Sequence, residues 1–171
     1  GTPPRDRRFP PRQIIVGYRS MRHAIATAAV LFIAIGASGP AAASDLVTTR
    51  ASGTVAEAMD RIEAAVETAG ATVFARVDHG RGAMDVGMDL APAELLIFGN
   101  PQLGTPAMQD DIAAGLILPL RLLVYEDANG TVQVAYEDVA SMFDGYAIAG
   151  DADYVAKMAG ALRKFATAAA E

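Results

Sequence analysis

The chain of 171 residues has no cysteine. That absence excludes disulfides, thiolate metal centres, a cysteine nucleophile and a lipoprotein-type lipid anchor. Aromatic residues make up only 6%, so the core must be built from aliphatic side chains. No G-x-S-x-G, P-loop, paired C-x-x-C or EF-hand spacing occurs, which removes the usual signatures of serine hydrolases, NTPases and zinc or calcium sites. Basic residues are scarce where they would matter. Of 14 Lys and Arg against 20 Asp and Glu, six arginines and one aspartate fall within residues 1–43. From Ser44 onward, 8 bases face 19 acids. So acidic a domain repels phosphate backbones and anionic head groups, and no nucleic-acid partner is expected.

What is present begins with an export signal. Residues 21–43 read MRHAIATAAVLFIAIGASGPAAA. Arg22 supplies a positive start, an apolar run follows to about Ala37, Gly39-Pro40 breaks it, and Ala41-Ala42-Ala43 offers small residues for cleavage after Ala43. The run falls short of the roughly 20 apolar residues of a membrane span, so no stable membrane anchor is expected after cleavage. The expected location is periplasmic or secreted. Residues 1–20, rich in proline and arginine without apolar periodicity, read as a disordered or over-extended N-terminus. Residues 44–171 then form a single domain, long enough to be held by packing without disulfides.

Within that domain, Asp45 to Ala51 alternates as a first strand. Thr54 and Glu57 make a capping-box pair ahead of Val55, Met59, Ile62 and Val66 at helical spacing, and Gly70 ends the helix. Ala71 to Asp78 reads as a second strand, followed by a turn at His79-Gly80-Arg81-Gly82 and a short helix or irregular segment to Leu90. The apolar run Glu94 to Phe98 suits a buried central strand. Thr105-Pro106 reads as an N-cap and first helical residue, starting a helix that runs to about Ala114. Leu118 to Glu126 and Val132 to Glu137 flank Asp127-Ala128-Asn129-Gly130, a hairpin turn. Asp151 to Ala170 is a last helix with Tyr154, Met158, Leu162 and Phe165 on one stripe. The order β-α-β-(α)-β-α-β-β-α predicts an α+β two-layer domain: a mixed or antiparallel sheet with helices packed on it.

The string Phe98-Gly99-Asn100-Pro101-Gln102-Leu103-Gly104-Thr105-Pro106-Ala107-Met108-Gln109 is the most distinctive in the chain. With Val77-Asp78-His79 before it and Leu118-Pro119-Leu120-Arg121 after it, the sequence resembles the Domain of Unknown Function 302 family over about Asp45 to Phe143. The resemblance implies a small, often dimeric α+β domain with no established activity, so a homodimer is expected.

His79, the one histidine of the predicted mature chain, follows Asp78 at a strand end. It reads as a general acid/base or ligand-gripping imidazole, or as a residue that hydrogen-bonds backbone there. Asn100, Thr105, Met108 and Gln109 are candidate ligand-binding residues. A helix starting at Thr105 would present N–H groups to a carboxylate or phosphate, with Asn100 and Gln109 reading polar edges. The alternative reading is mechanical: the glycines and prolines there shape a turn and Thr105 caps a helix. Met84, Met88 and Met108 with His79 lack the thiolate or histidine pair that copper favours, and paired acids such as Asp110-Asp111 lack calcium-loop spacing. No metal and no cofactor are expected. The pattern favours a small-molecule-binding or interaction module with a site near His79 and the 99–109 turn. An enzyme using His79 as acid/base, with an anion-binding helix start at 105–108, is the alternative. A structural, dimer-forming protein is the third reading.

Overall fold

The computed structural model describes residues 45–171; the expected leader, signal and cleavage point lie outside them. Strand β1 (Leu46–Arg50) leads into helix α1 (Val55–Thr68), where the capping box forms as its sequence predicts. The Thr54 hydroxyl accepts from the Glu57 N–H at 3.2 Å, and the Glu57 carboxylate accepts from the Thr54 N–H at 2.9 Å. Strand β2 (Thr72–Asp78), helix α2 (His79–Asp85) and strand β3 (Ala93–Gly99) follow. Next come helix α3 (Pro101–Asp110), a 3-10 turn at Ile112–Leu116, strand β4 (Leu120–Glu126) and strand β5 (Val132–Glu137). A single helical turn, α4 (Val139–Met142), and the long helix α5 (Asp153–Ala168) complete the domain.

The five strands lie in the order β1-β5-β4-β3-β2, and every neighbouring pair is antiparallel. Strands β2 to β5 form a meander, while β1 closes the far edge beside β5. Consecutive strands β1 and β2 therefore sit on opposite edges, so α1 must cross one face of the sheet between them. It packs on β2, β3 and β4 and against α5.

Strand alternation divides the sheet into two unlike faces. Leu96, Phe98, Leu122, Val124 and Val134 are buried beneath the helices. They meet Met59, Ile62 and Val66 from α1 and Met158, Leu162 and Phe165 from α5. Each such side chain contributes roughly 1.5–3 kcal/mol by leaving water. Phe98 and Phe165 stack edge to face with centroids 5.4 Å apart, an arrangement that suits the ring quadrupoles. The opposite face carries Leu95, Ile97, Leu123 and Ala135, all only half-buried, and no described element covers it.

The hairpin turn also follows its sequence. Gly130 takes φ +75°, and Asp127 accepts from the N–H groups of Asn129 and Thr131 at 2.9 and 3.0 Å. Arg61 ties the last turn of α5 to the start of the domain. Its Nη2 donates to the carbonyls of Ser52 and Ala169 at 2.7 and 2.8 Å, and its Nε to Ala168 at 3.3 Å. A cation is favourable where helix carbonyls have no intrahelical partner.

The α+β arrangement with an antiparallel sheet is as expected; four details need correction. The sheet's centre is β4, and β3 lies next to the edge with one face open, so its unbroken apolar run does not mean burial on both faces. His79 to Gly82 is the first turn of α2, because Asp78 caps it by accepting from the Arg81 N–H at 2.8 Å. Helix α3 starts at Pro101 with Asn100 as N-cap, five residues before the expected start. On α5, Val155 takes a fully buried place and Tyr154 lies half-buried at the margin of the stripe.

Candidate functional site

A cavity of about 400 Å³ opens where β3 ends, between the sheet, α3 and α5. Its floor is Phe98, Leu120 and Phe165. Leu103 and Met108 of α3 form one wall, and Met158 and Ala161 of α5 face them. Phe74, which sits in the register shift of β2 and is 57% exposed, stands at the rim with Pro119. Gly99 lies between those two. A Cβ there would stand 3.2 Å from the Phe74 ring and 3.4 Å from Pro119, so it would touch Pro119 at ordinary contact and push the Phe74 ring outward by a few tenths of an ångström.

The expected helix-start site is built differently from its prediction. Pro101 carries no N–H. The Gln102 N–H donates to Asn100 Oδ1 at 2.9 Å, and the N–H groups of Leu103 and Gly104 donate to the Asn100 carbonyl at 2.9 and 3.0 Å. Every donor at the true helix start is thus already taken, and Thr105 to Met108 lie in the helix interior. The anion cradle expected at 105–108 does not form.

The candidate residues divide between the two ends of the sheet. Asn100, Thr105 and Met108 line the cavity, whereas Gln109 is exposed and outside its lining. His79 is exposed, and it follows Asp78, which pairs with Glu94 at the other end of β3; Gly99 pairs with Thr72. Five strand steps separate those ends, about 17 Å. Helix α2 starts away from the cavity, so a site joining His79 to the 99–109 segment is not assembled, and an acid/base role for His79 there has no geometric support. Met84 within α2 and Met88 beyond it are exposed, apart from Met108 on the cavity wall. Among the described residues no group of three His, Cys, Asp or Glu side chains converges as a metal site.

Two acids beside the cavity are engaged in structure. Asp110 accepts from the Tyr154 hydroxyl at 2.6 Å, tying α3 to α5. Loss of surrounding water, then that hydrogen bond and the carboxylate charge, push the Tyr154 hydroxyl up to about 12. Asp111 accepts from the N–H groups of Ala147 and Ala113, which hold its carboxyl below the usual range.

Sequence reasoning missed Phe74, Leu118, Met158, Ala161 and Phe165 as cavity residues. The apolar stripe of α5 marked Met158 and Phe165 as buried, but not which of them border an empty space.

Fold and cavity together define a two-layer antiparallel α+β domain with an apolar hollow at one end of its sheet. The chain belongs to the family described as Domain of unknown function DUF302, whose model matches residues 47–167. A solved relative, the uncharacterized conserved protein DUF302 from Bacillus stearothermophilus, shares the fold with a TM-score of 0.63 and 19% identity. That likeness covers 72% of this chain and 97% of the other. Among curated proteins, fluoride-specific ion channel FluC 1 of Brucella suis biovar 1 is 43% identical over 114 residues, 67% of this chain and 45% of that protein. FluC 2 of Brucella melitensis biotype 1 is also 43% identical over 114 residues, covering 67% and 42%. The chain spans less than half the length of these curated relatives.

Proposed function

We propose that this is an exported binding module that holds a small, largely apolar molecule in the cavity between β3, α3 and α5. The supporting observation is the cavity's chemistry. Its volume of about 400 Å³ is that of a small-molecule site, its walls are apolar, and its polar side chains are confined to Asn100 and Thr105. Export rests on the signal pattern of residues 21–43. The test is binding of the uncharged dye N-phenyl-1-naphthylamine, followed by fluorescence. Ala161→Trp, which fills the space, should abolish binding while the circular dichroism spectrum is kept, and His79→Ala should leave binding unchanged. Equal dye binding by the Ala161→Trp variant would refute the assignment of the cavity.

The Brucella relatives favour a second reading. No helix among the described residues is long and apolar enough to cross a membrane. We propose that the shared stretch is a water-facing domain joined there to a channel, and that it does not itself hold fluoride, which 19 acids against 8 bases would repel. Fluoride-dependent changes in the protein's NMR spectrum at millimolar concentration would contradict this.

We also propose that a second copy of the chain covers the open sheet face. Leu95, Ile97 and Leu123 form its apolar centre, with the Arg121–Glu137 ion pair, 3.2 Å apart, beside them. A two-fold axis would lay the same apolar centre of each copy against the other. Leu123→Glu should convert a dimer into a monomer in sedimentation equilibrium; a wild-type monomer would end the proposal.

A further inference from the structure

We infer that the cavity selects uncharged molecules whose polar group accepts a hydrogen bond, such as ketones, esters or tertiary amides on an aliphatic or aromatic body. The inference rests on the binding role proposed above. Three observations converge on it. No acidic or basic side chain lines the cavity, so a carboxylate, phosphate or ammonium entering it would lose water without gaining a counter-charge. The N–H groups at the start of α3, the usual alternative holder of an anion, are consumed by Asn100 and by its carbonyl. The domain's acidic balance further disfavours anions.

Asn100 decides the remaining polarity. Because the amide NH2 group cannot accept a hydrogen bond, the cap fixes Oδ1 toward Gln102, and the amide cannot be turned over without losing it. The amide's other polar atom is Nδ2, a donor without an acceptor. Among the described residues neither Nδ2 nor the Thr105 hydroxyl has a hydrogen-bond partner. Both residues line the cavity on the α3 side. The lining therefore carries one donor-only nitrogen and one hydroxyl able to donate, both on the α3 side, and apolar side chains elsewhere, a set that matches a carbonyl group carried on a hydrocarbon body.

The test displaces N-phenyl-1-naphthylamine from the full chain with 2-nonanone, nonane, nonanoate and nonylamine at pH 7. The ketone should displace the dye, and the two charged chains should need at least tenfold more. Asn100→Asp keeps an oxygen cap but loses the donor, and Asn100→Gly removes the side chain at small cost to the helix start. Each should weaken 2-nonanone about fivefold, the size of one hydrogen bond, and leave nonane unchanged. Absence of dye binding in the wild type would overturn the binding role and this selectivity with it. Dye binding with ketone affinity untouched in both variants, or with nonanoate competing as well as the ketone, would overturn the selectivity alone.

Discussion

Replacing Arg76 with methionine tests how the edge strand β2, which carries Phe74 to the cavity rim, is held to α1. The guanidinium meets Glu94 at 2.5 Å, Asp60 at 2.6 Å and Glu63 at 3.1 Å, and reaches the Ala56 carbonyl at 3.4 Å. Burial alone would lower its pKa, but the hydrogen bonds to Glu94, Asp60 and Glu63 outweigh that and raise it above the ordinary arginine value. Methionine keeps an apolar stem while leaving three carboxylates without their cation. The Asp60 side chain is 68% exposed, so losing that pair costs about 0–1 kcal/mol. Glu94 is only 12% exposed, and stripping the partner from a fully buried charge costs about 3–5 kcal/mol. The Arg76 side chain is itself 28% open to water, which places the whole loss between these limits, at about 2 kcal/mol. For a domain of this size that lowers Tm by roughly 8 °C. Urea unfolding at pH 7 measures it. A loss under about 0.5 kcal/mol would refute the reasoning.

Other parts of the structure give sharper local tests. Tyr154→Phe should remove a titration step near 12 from an ultraviolet pH titration, and should speed amide exchange in α3 by cutting its tie to α5. Asp127 is held below the usual carboxylate range, first by the Thr131 N–H, then by Gln133 and Asn129. Its contribution is complete above the unfolded carboxylate value and disappears as the pH falls through the lower folded one. Asp127→Ala should therefore be less stable than wild type at pH 7, with the two unfolding curves converging in strong acid. Phe98→Ala removes the cavity floor and the ring contact with Phe165; chemical unfolding should show a loss of about 3–5 kcal/mol.

The fold was legible wherever its cause was local. The Thr54–Glu57 box, the stripe of α1 and the Asp127–Gly130 turn each reside within a few residues, and each forms as read. The start of α3 was harder, because Asn100-Pro101 and Thr105-Pro106 carry the same cap-then-proline signal. The chain leaves β3 at Gly99 and turns helical at once, leaving Pro106 inside the helix, where it can donate no N–H. The site was half legible for a related reason. The distinctive string around Asn100 does border the cavity, but closeness in sequence between it and His79 says nothing about strand direction. The antiparallel pairing of β2 with β3 sends His79 to the opposite end. The α5 wall of the cavity lies about fifty residues beyond Thr105 along the chain, at Met158 to Phe165, and no local pattern brings it there.

The central claim is that the cavity between α3 and α5 is where this domain holds an apolar molecule, and its methionines report on that directly. Met108 and Met158 line the cavity, while Met84 and Met88 are exposed elsewhere. With methyl-labelled methionine, titration of 2-nonanone followed by NMR should shift the Met108 and Met158 signals together, saturably, and leave Met84 and Met88 in place. Saturable shifts at Met84 and Met88 with Met108 and Met158 unmoved would contradict the account.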